Sequence, residues 1–504
     1  MKQSLNLDTP YQKPFLWPVA FPEVLNYGGF DIVLANPPYV RQEKLAPEDQ
    51  ESYKQAFDDV FVGMADILTF FYARALQILK IGGWITFITS NSFIKRNYGT
   101  KLKQFLTNNL NIKVVIDFGE TSIFEAVVEP YVLVGSRGNG YDEDIIRGHN
   151  LYPLMARATG RSGSVEKVRE ELQNLPSLLE DELSQIPKKL FIKTDWRIED
   201  RDILSLYTRL MEQGIPLVKF VNKRIYYGIK TGLNEAFVID QAKRDDLIAE
   251  DSRSAELIMP WLRGKDIKRW HAEWSGLYVI ALQSSGDHDA THPWKDAKSE
   301  AEAREIFRQN YPALYEHLRW WEEYPNPKKP NEKIGLRHRK DQGRFWWELR
   351  ACAYYSEFAQ PKMIWSDISR TMRFAWDTSG MLLANTAYIA PDVPLWLIAV
   401  LNSELAEFLM CEITNTIPGG FARLIYQYVE QIPIIEPSLD IRTKIESIVR
   451  DSIQVPAKEN RELLNDYVET LYSLTPREQN TIRDWFQRRS IHLEESECEE
   501  LEDG

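Results

Sequence analysis

Phe30-Asp31-Ile32-Val33-Leu34-Ala35-Asn36-Pro37-Pro38-Tyr39 is the stretch around which the other parts of this 504-residue chain arrange themselves. Ile32 to Ala35 make a short apolar run, which reads as a buried parallel strand. Asn36-Pro37-Pro38-Tyr39 ends it abruptly, because neither proline donates to a ladder and each restricts the residue before it. Rigid residues at the carboxyl end of a buried strand stand where open α/β sheets place ligand chemistry. Asn36 and Tyr39 have a specific use there. An amide oxygen and a backbone carbonyl accept the two hydrogens of an exocyclic amine, while a tyrosine ring stacks on the attached base. The competing reading is a plain strand-terminating turn, and the apolar strand in front of the motif weighs against it.

Working outward, residues 1–29 carry Pro10, Pro14, Pro18 and Pro22 among aromatics and read as an extended lead-in. Beyond Tyr39, the polar stretch from Arg41 to Asp59 reads as a loop with helical turns over the mouth of the site. Asp66 to Lys80 has Leu68, Phe71, Tyr72, Ala75 and Leu79 at helical spacing, and Gly82-Gly83 suits a C-cap. Strands are expected at 84–89, 114–118 and 131–134, with a helix over 98–106 and the turn Ser90-Asn91-Ser92-Phe93 at a strand end. This alternation implies a parallel, doubly wound sheet.

Residues 137–190 read as a connector containing an amphipathic helix from Glu166 to Leu183, and a second domain is expected from Trp196. Within it, Ile225 to Ile239 reads as strand, Lys230-Thr231-Gly232 turn, strand. Arg373–Asp377 and Asn385–Ile389 form a second unit of the same texture. Residues 437–492 are helical by pattern, and the tail after them lacks the apolar content to fold.

Composition sets outer limits. The hydrophobic fraction of 44% is ordinary for a globular protein. The longest strongly apolar run, Pro394 to Leu401, is too short to cross a bilayer, and the first residues lack the apolar core of a signal peptide. Cys352, Cys411 and Cys498 form neither a disulfide framework nor a metal knuckle, so the expected location is cytoplasmic and no metal is expected. The net charge of −13 argues against a nucleic-acid partner only superficially, since seven acids in 494–503 leave −6 for the remainder. Between Lys328 and Arg350, eight Lys/Arg face three acids with Trp346 and Trp347 among them, a patch of the kind that meets phosphates.

Phe30 to Tyr39 with Val40 and Arg41 resembles the catalytic motif of amino-group DNA methyltransferases. The resemblance is to the adenine-specific (N6) type with a fused target-recognition domain, from combined-specificity type II restriction–modification systems. It extends over most of residues 15–435, through Ile225 to Ile239, Leu262 to Ile267, Pro361 to Trp365, Leu401 to Ser403 and Gln431 to Ile434. It implies an α/β fold: a partial Rossmann-like class I methyltransferase sheet, an α/β target-recognition domain and a C-terminal helical segment. The implied boundaries are 1–136, a connector at 137–190, recognition at 191–436, helices at 437–492 and the acidic tail at 493–504.

The resemblance also implies the chemistry. Asn36, Pro37, Pro38 and Tyr39 would be catalytic, with Tyr39 and Phe124 stacking on an adenine flipped out of duplex DNA. S-adenosylmethionine would be the methyl donor. Lys230, Thr231, Gly232, Gly419, Gly420 and Arg423 are candidate DNA contacts, because glycine permits close backbone approach and the cations meet phosphates. Arg41, Arg370 and Arg373 complete that set. In such enzymes a glycine-rich cofactor turn precedes the Asn-Pro-Pro-Tyr motif, and no Gly-x-Gly turn after a strand occurs among the 35 residues before Asn36. The expectation is therefore the second half of a catalytic domain, needing an N-terminal methyltransferase half, with a restriction subunit as a further partner. Two alternatives stand beside it. One is a non-catalytic DNA-specificity subunit carrying a degenerate half-domain. The other is methylation of glutamine amides or RNA guanines, which would leave residues 190–435 without a role.

Overall fold

The computed structural model describes residues 15–38, 47–63, 65–95, 98–118, 129–138, 145–150, 173, 185–325, 333–414, 416–417 and 421–489. Two compact units divide the chain: Met1–Arg209 with Arg483–Ile491, and Leu210–Ile482 with His492–Gly504.

The first unit is built on a six-stranded sheet of β1 (Phe30–Ala35), β2 (Leu79–Ser90), β3 (Leu110–Asp117), β4 (Pro130–Arg137), β5 (Ile145–Asn150) and β6 (Gln185–Pro187). Their order is β1-β2-β4-β3-β5-β6. β1 runs parallel to β2, and β5 parallel to β3, but β4 is antiparallel to both its neighbours. The sheet is thus mixed, where alternation implied a parallel one. Parallel neighbours need a crossover connection, whereas β4 returns antiparallel between β2 and β3. Residues 137–190, read as a connector, supply β5 and β6 to this sheet. The helix expected at 166–183 lies outside the described residues, apart from residue 173.

One face of the sheet is packed. Ile85, Phe87, Val115 and Leu133 share a core with Leu68, Leu76, Leu102 and Leu106 of the helices Leu68–Ile78 and Gly99–Asn109. On the other side Ile32 and Leu34 are 65% and 76% exposed, and Trp84, opposite Ile32, is 43% exposed. β1 is therefore an edge strand with one bare face, not the buried strand its composition suggested. Its apolar side chains are largely uncovered there among the described residues. Gly82-Gly83 does not cap the preceding helix either, since β2 begins directly at Leu79. A Cβ on Gly83 would stand 2.9 Å from the Phe30 carbonyl oxygen, so this glycine lets β1 approach β2. Trp196, expected to open the second domain, is buried in the first unit, 5.3 Å from the Phe191 ring and 6.2 Å from Phe93.

The second unit contains β7 (Ile215–Pro216), β8 (Tyr226–Tyr227), β9 (Val238–Ile239), β10 (Ile258–Leu262), β11 (Tyr278–Ile280), β12 (Lys362–Ser366) and β13 (Ile368–Ser369). β14 (Phe374–Asp377), β15 (Leu382–Leu383), β16 (Ala387–Pro391), β17 (Thr416–Ile417), β18 (Phe421–Arg423) and β19 (Pro433–Ile434) follow. Two four-stranded sheets, β15-β10-β11-β9 and β14-β12-β16-β8, enclose its core. The expected strand–turn–strand at 225–239 is divided between them: β8 joins β16, β9 joins β11, and a helical turn, Asn234–Phe237, lies between. The second expected unit does share a sheet, with β14 and β16 on either side of β12. Helices Leu439–Gln454 and Lys458–Leu471 pack on each other and on Trp396–Leu401, as their apolar spacing anticipates.

Gly99 has the least room of the described glycines in the first unit, because a Cβ there would lie 1.7 Å from the Phe93 carbonyl oxygen. Gly99→Ala is expected to lower stability by about 1–3 kcal/mol, the range for overpacking. Gly138→Ala, where a Cβ meets nothing within 4 Å among the described residues, should leave the urea midpoint unmoved.

Candidate functional site

The strand ends of the first unit converge at the carboxyl edge of its sheet. Ala35 pairs with Phe87 in parallel register, so Asn36 leaves β1 on the edge where β2 ends in Ser90. Pro37 is buried while Asn36 and Pro38 are exposed, so a fixed proline presents the amide outward. A rigid φ and an inward-facing ring make that presentation stiff. Tyr39, Arg41 and Phe124 lie outside the described residues.

The neighbouring strand end is organised by Asn91, which is 2% exposed. Its Nδ2 donates to Glu129 Oε2 at 2.8 Å and to Asp117 Oδ1 at 3.1 Å, and its backbone N–H donates to the Glu129 carbonyl at 2.9 Å. One side chain thus ties the end of β3 and the entry of β4 to the end of β2. Ser92 N–H donates to Ser90 Oγ at 3.2 Å, and the Ser92 and Tyr98 hydroxyls are 2.7 Å apart. Tyr131 lies fully buried beside this cluster, and burial, with the Asp117 charge adding to it, pushes its hydroxyl well above the usual phenol range. Sequence reasoning placed Ser90-Asn91-Ser92 at a strand end but missed the amide's anchoring role. An asparagine directly after the end of a predicted strand was the available signal.

A cofactor with a methionine end and a ribose needs a glycine turn at this same carboxyl edge. Among the described glycines, Gly28, Gly29, Gly82 and Gly83 lie toward the amino ends of β1 and β2 instead. The described residues therefore do not by themselves fit S-adenosylmethionine, and no step is derived through it.

In the second unit the candidate DNA contacts separate. Lys230, exposed, pairs with Asp341 at 2.8 Å. Thr231 is buried, with its carbonyl held by Arg339, and Gly232 takes a φ of +73°. Arg373 is buried too, whereas Arg370 is half-buried and Arg423 exposed on β18. Gly419 and Gly420 lie outside the described residues. Within the basic stretch at 328–350, most of the described cations are engaged in bonds inside the unit, although Lys333, Lys340, Arg344 and Arg350 remain exposed. Arg337 pairs with Glu300 and Glu322, Arg344 donates to the carbonyls of Lys295 and Ala297, and Arg350 pairs with Asp341. Arg339 donates to the carbonyls of Trp346 and Glu348, and burial pulls its guanidinium down to about 10. Trp346 and Trp347 are core residues.

Comparison with known proteins gives both units a context. Residues 2–124 match the model of the Eco57I restriction-modification methylase, and residues 259–434 the TaqI-like C-terminal specificity domain. The type II methyltransferase M.BstVI of Geobacillus stearothermophilus is 24% identical over 90% of this chain and 75% of its own length. M.PaeR7I of Pseudomonas aeruginosa is 25% identical over 90% of this chain and 72% of its own. Among solved structures, the type IIL restriction-modification enzyme MmeI in complex with DNA superposes with a TM-score of 0.54 at 12% identity, a likeness of fold. It covers 93% of this chain, which spans 58% of the MmeI chain. Over most of its length the chain is thus similar to type II methyltransferases, its first segment matching a restriction-modification methylase and its later part a specificity domain.

The Asn91 anchor generates a test. Asn91→Leu leaves two carboxylates without their shared donor and is expected to lower stability by about 1–3 kcal/mol. Asn91→Asp should be worse at pH 7, since a third carboxylate joins Asp117 and Glu129 in a buried place. Its folded pKa would lie above its unfolded one, so that the folded state binds the extra proton and the deficit shrinks as pH falls. Chemical denaturation at pH 7 and 5 reads both.

Proposed function

We propose that this chain acts in site-specific methylation of the exocyclic N6 amine of adenine in double-stranded DNA, with S-adenosylmethionine as methyl donor, within a restriction–modification system. The observation that carries this reading is the presentation of Asn36 at the carboxyl end of β1, stiffened by buried Pro37, beside the ordered end of β2. The relatives named above support the reaction class.

The chemistry asked of these residues is positioning. The adenine amine is a poor nucleophile because its lone pair is delocalised into the ring. The Asn36 amide oxygen and the Pro37 carbonyl accept its two N–H bonds and draw the nitrogen toward tetrahedral geometry. That contribution is orientation plus preorganised electrostatics. Tyr39 and Phe124 supply stacking surfaces for the flipped base in this reading. S-adenosylmethionine supplies the electrophilic methyl group when bound.

The bare face of β1 favours one form of the reading. An exposed apolar edge strand is an aggregation hazard unless something covers it. A further polypeptide half that pairs with β1 and covers Ile32, Leu34 and Trp84 would also bring the glycine turn for the cofactor. The alternative, a specificity chain whose methylase segment is catalytically inert, differs in one respect: completing the sheet would restore no transfer.

Calorimetric titration with S-adenosylmethionine and tritiated-methyl incorporation into DNA separate these forms. Residues 1–504 alone are expected to bind the cofactor weakly or not at all, and a co-expressed cofactor-binding methyltransferase half should restore binding and transfer. Asn36→Ala in that assembly should abolish transfer with cofactor binding nearly intact. Tight binding by the isolated chain would overturn the need for a further half. A second expectation concerns DNA. Arg423→Ala should weaken duplex binding and flatten its dependence on salt, as loss of a phosphate contact does. An unchanged slope would remove Arg423 from the DNA surface.

A further inference from the structure

Where the two four-stranded sheets of the second unit meet, a cleft of about 570 Å3 opens, with Lys265, Asp367, Ser369, Asn385 and Thr386 in its lining and Trp261 among its apolar walls. The size is that of a site for one small organic group. Its frame is tightly drawn. The Gly264 N–H donates to Thr386 Oγ1 at 3.1 Å, and a Cβ on Gly264 would lie 2.7 Å from both Ser366 Oγ and the Thr386 carbonyl oxygen. The Ala384 N–H donates to the Leu262 carbonyl at 2.8 Å, extending the pairing of β10 with β15 along the cleft.

Ser369 is the informative residue. It is 2% exposed, it lines the cleft, and its hydroxyl has no hydrogen-bond partner among the described residues. A buried hydroxyl without a partner is destabilising, and alanine would occupy the place without that penalty. Retaining serine makes sense where a ligand completes the bond.

The lining sorts ligand classes. A bare anion would share the cleft with the Asp367 carboxyl, which burial holds above its usual range while the Arg423 charge acts against that. A purely apolar ligand would desolvate Ser369, Asn385 and Thr386 without repaying them hydrogen bonds. A nucleobase offers donors and acceptors around an apolar ring, and its attached phosphate would meet exposed Lys265. Shape sorts sources in turn. Duplex DNA keeps its base edges recessed in grooves that receive protruding side chains, whereas a concave site receives a base that has left the stack.

We propose that this cleft binds an extrahelical nucleotide of DNA, its base turned inward against Ser369 and Asn385 and its phosphate at Lys265. The inference rests on the DNA-methylation reading and gives the specificity unit a nucleotide site of its own, separate from the Asn36 edge.

The test uses the full chain and two labelled duplexes of identical sequence, one fully paired and one carrying a single bulged thymidine, with free dTMP as a third probe. Fluorescence anisotropy is expected to show the bulged duplex bound about tenfold or more tighter than the paired one. Ser369→Ala and Asn385→Ala should each erase that preference and leave paired-duplex affinity unchanged, and Ser369→Ala should not lower the melting temperature. Equal affinity for the two duplexes, or a preference that survives both substitutions, would overturn the proposal. Binding of dTMP as tight as that of the bulged duplex would assign the cleft to free nucleotides instead. Loss of all duplex binding in the unsubstituted chain would sink the DNA reading beneath it, a failure distinguishable from loss of the bulge preference alone.

Discussion

The parallel pairing of β1 with β2 is the constraint on which the site depends. Two glycines make it possible: a Cβ on Gly29 would lie 2.4 Å from the Ile78 carbonyl, and one on Gly83 would press on Phe30 and Asp31. The register shifts between Phe30 and Ile32 and then runs evenly to Ala35 opposite Phe87. A side-chain period of two means that a slip of one residue would exchange the two faces of β1. Val33, against the core, and Ile32 and Leu34, on the open face, fix the register that delivers Asn36 to the edge. The Lys80–Asp31 ion pair spans the same two strands but is solvent-exposed, so it contributes little beside the glycine contacts.

How much of this was legible in the sequence depended on whether the deciding forces were local. The strand–Asn-Pro-Pro unit was readable, because an apolar run and two prolines act on their own neighbours. Helices at 68–78 and 99–109 followed their apolar spacing. Strand direction and partner choice did not follow. Nothing within Tyr131 to Val134 says that β4 runs antiparallel between β2 and β3, and nothing in Ile225 to Ile239 says that its two ends belong to different sheets. Burial was misjudged at β1 for a related reason. A run such as Ile-Val-Leu-Ala reports how much covering it needs, and the neighbours decide how much it receives.

Charge patterning misled in an instructive way. The cations at 328–350 looked like a phosphate-binding patch, yet the described ones are largely consumed in holding the second unit together. Arg339 is the clearest case, buried and ringed by the carbonyls of Thr231, Trp346 and Glu348. A guanidinium with several donors can serve as an internal strut for backbone that no strand satisfies. Composition does not distinguish a strut from a solvated cation. Polar residues told more through their bonding: Asn91 stands out because its bonds tie two other strand ends to its own, and Ser369 because its hydroxyl has no partner among the described residues.

The central claim is that the Asn36 edge acts on an exocyclic ring amine, and the identity of the methylated base tests it most directly. DNA treated with the chain, completed by a cofactor-binding half, would be digested to nucleosides and analysed by mass spectrometry. The account predicts N6-methyladenine. Methylation of cytosine at carbon 5 would contradict it, because two acceptors on an amine give no route to attack from ring carbon.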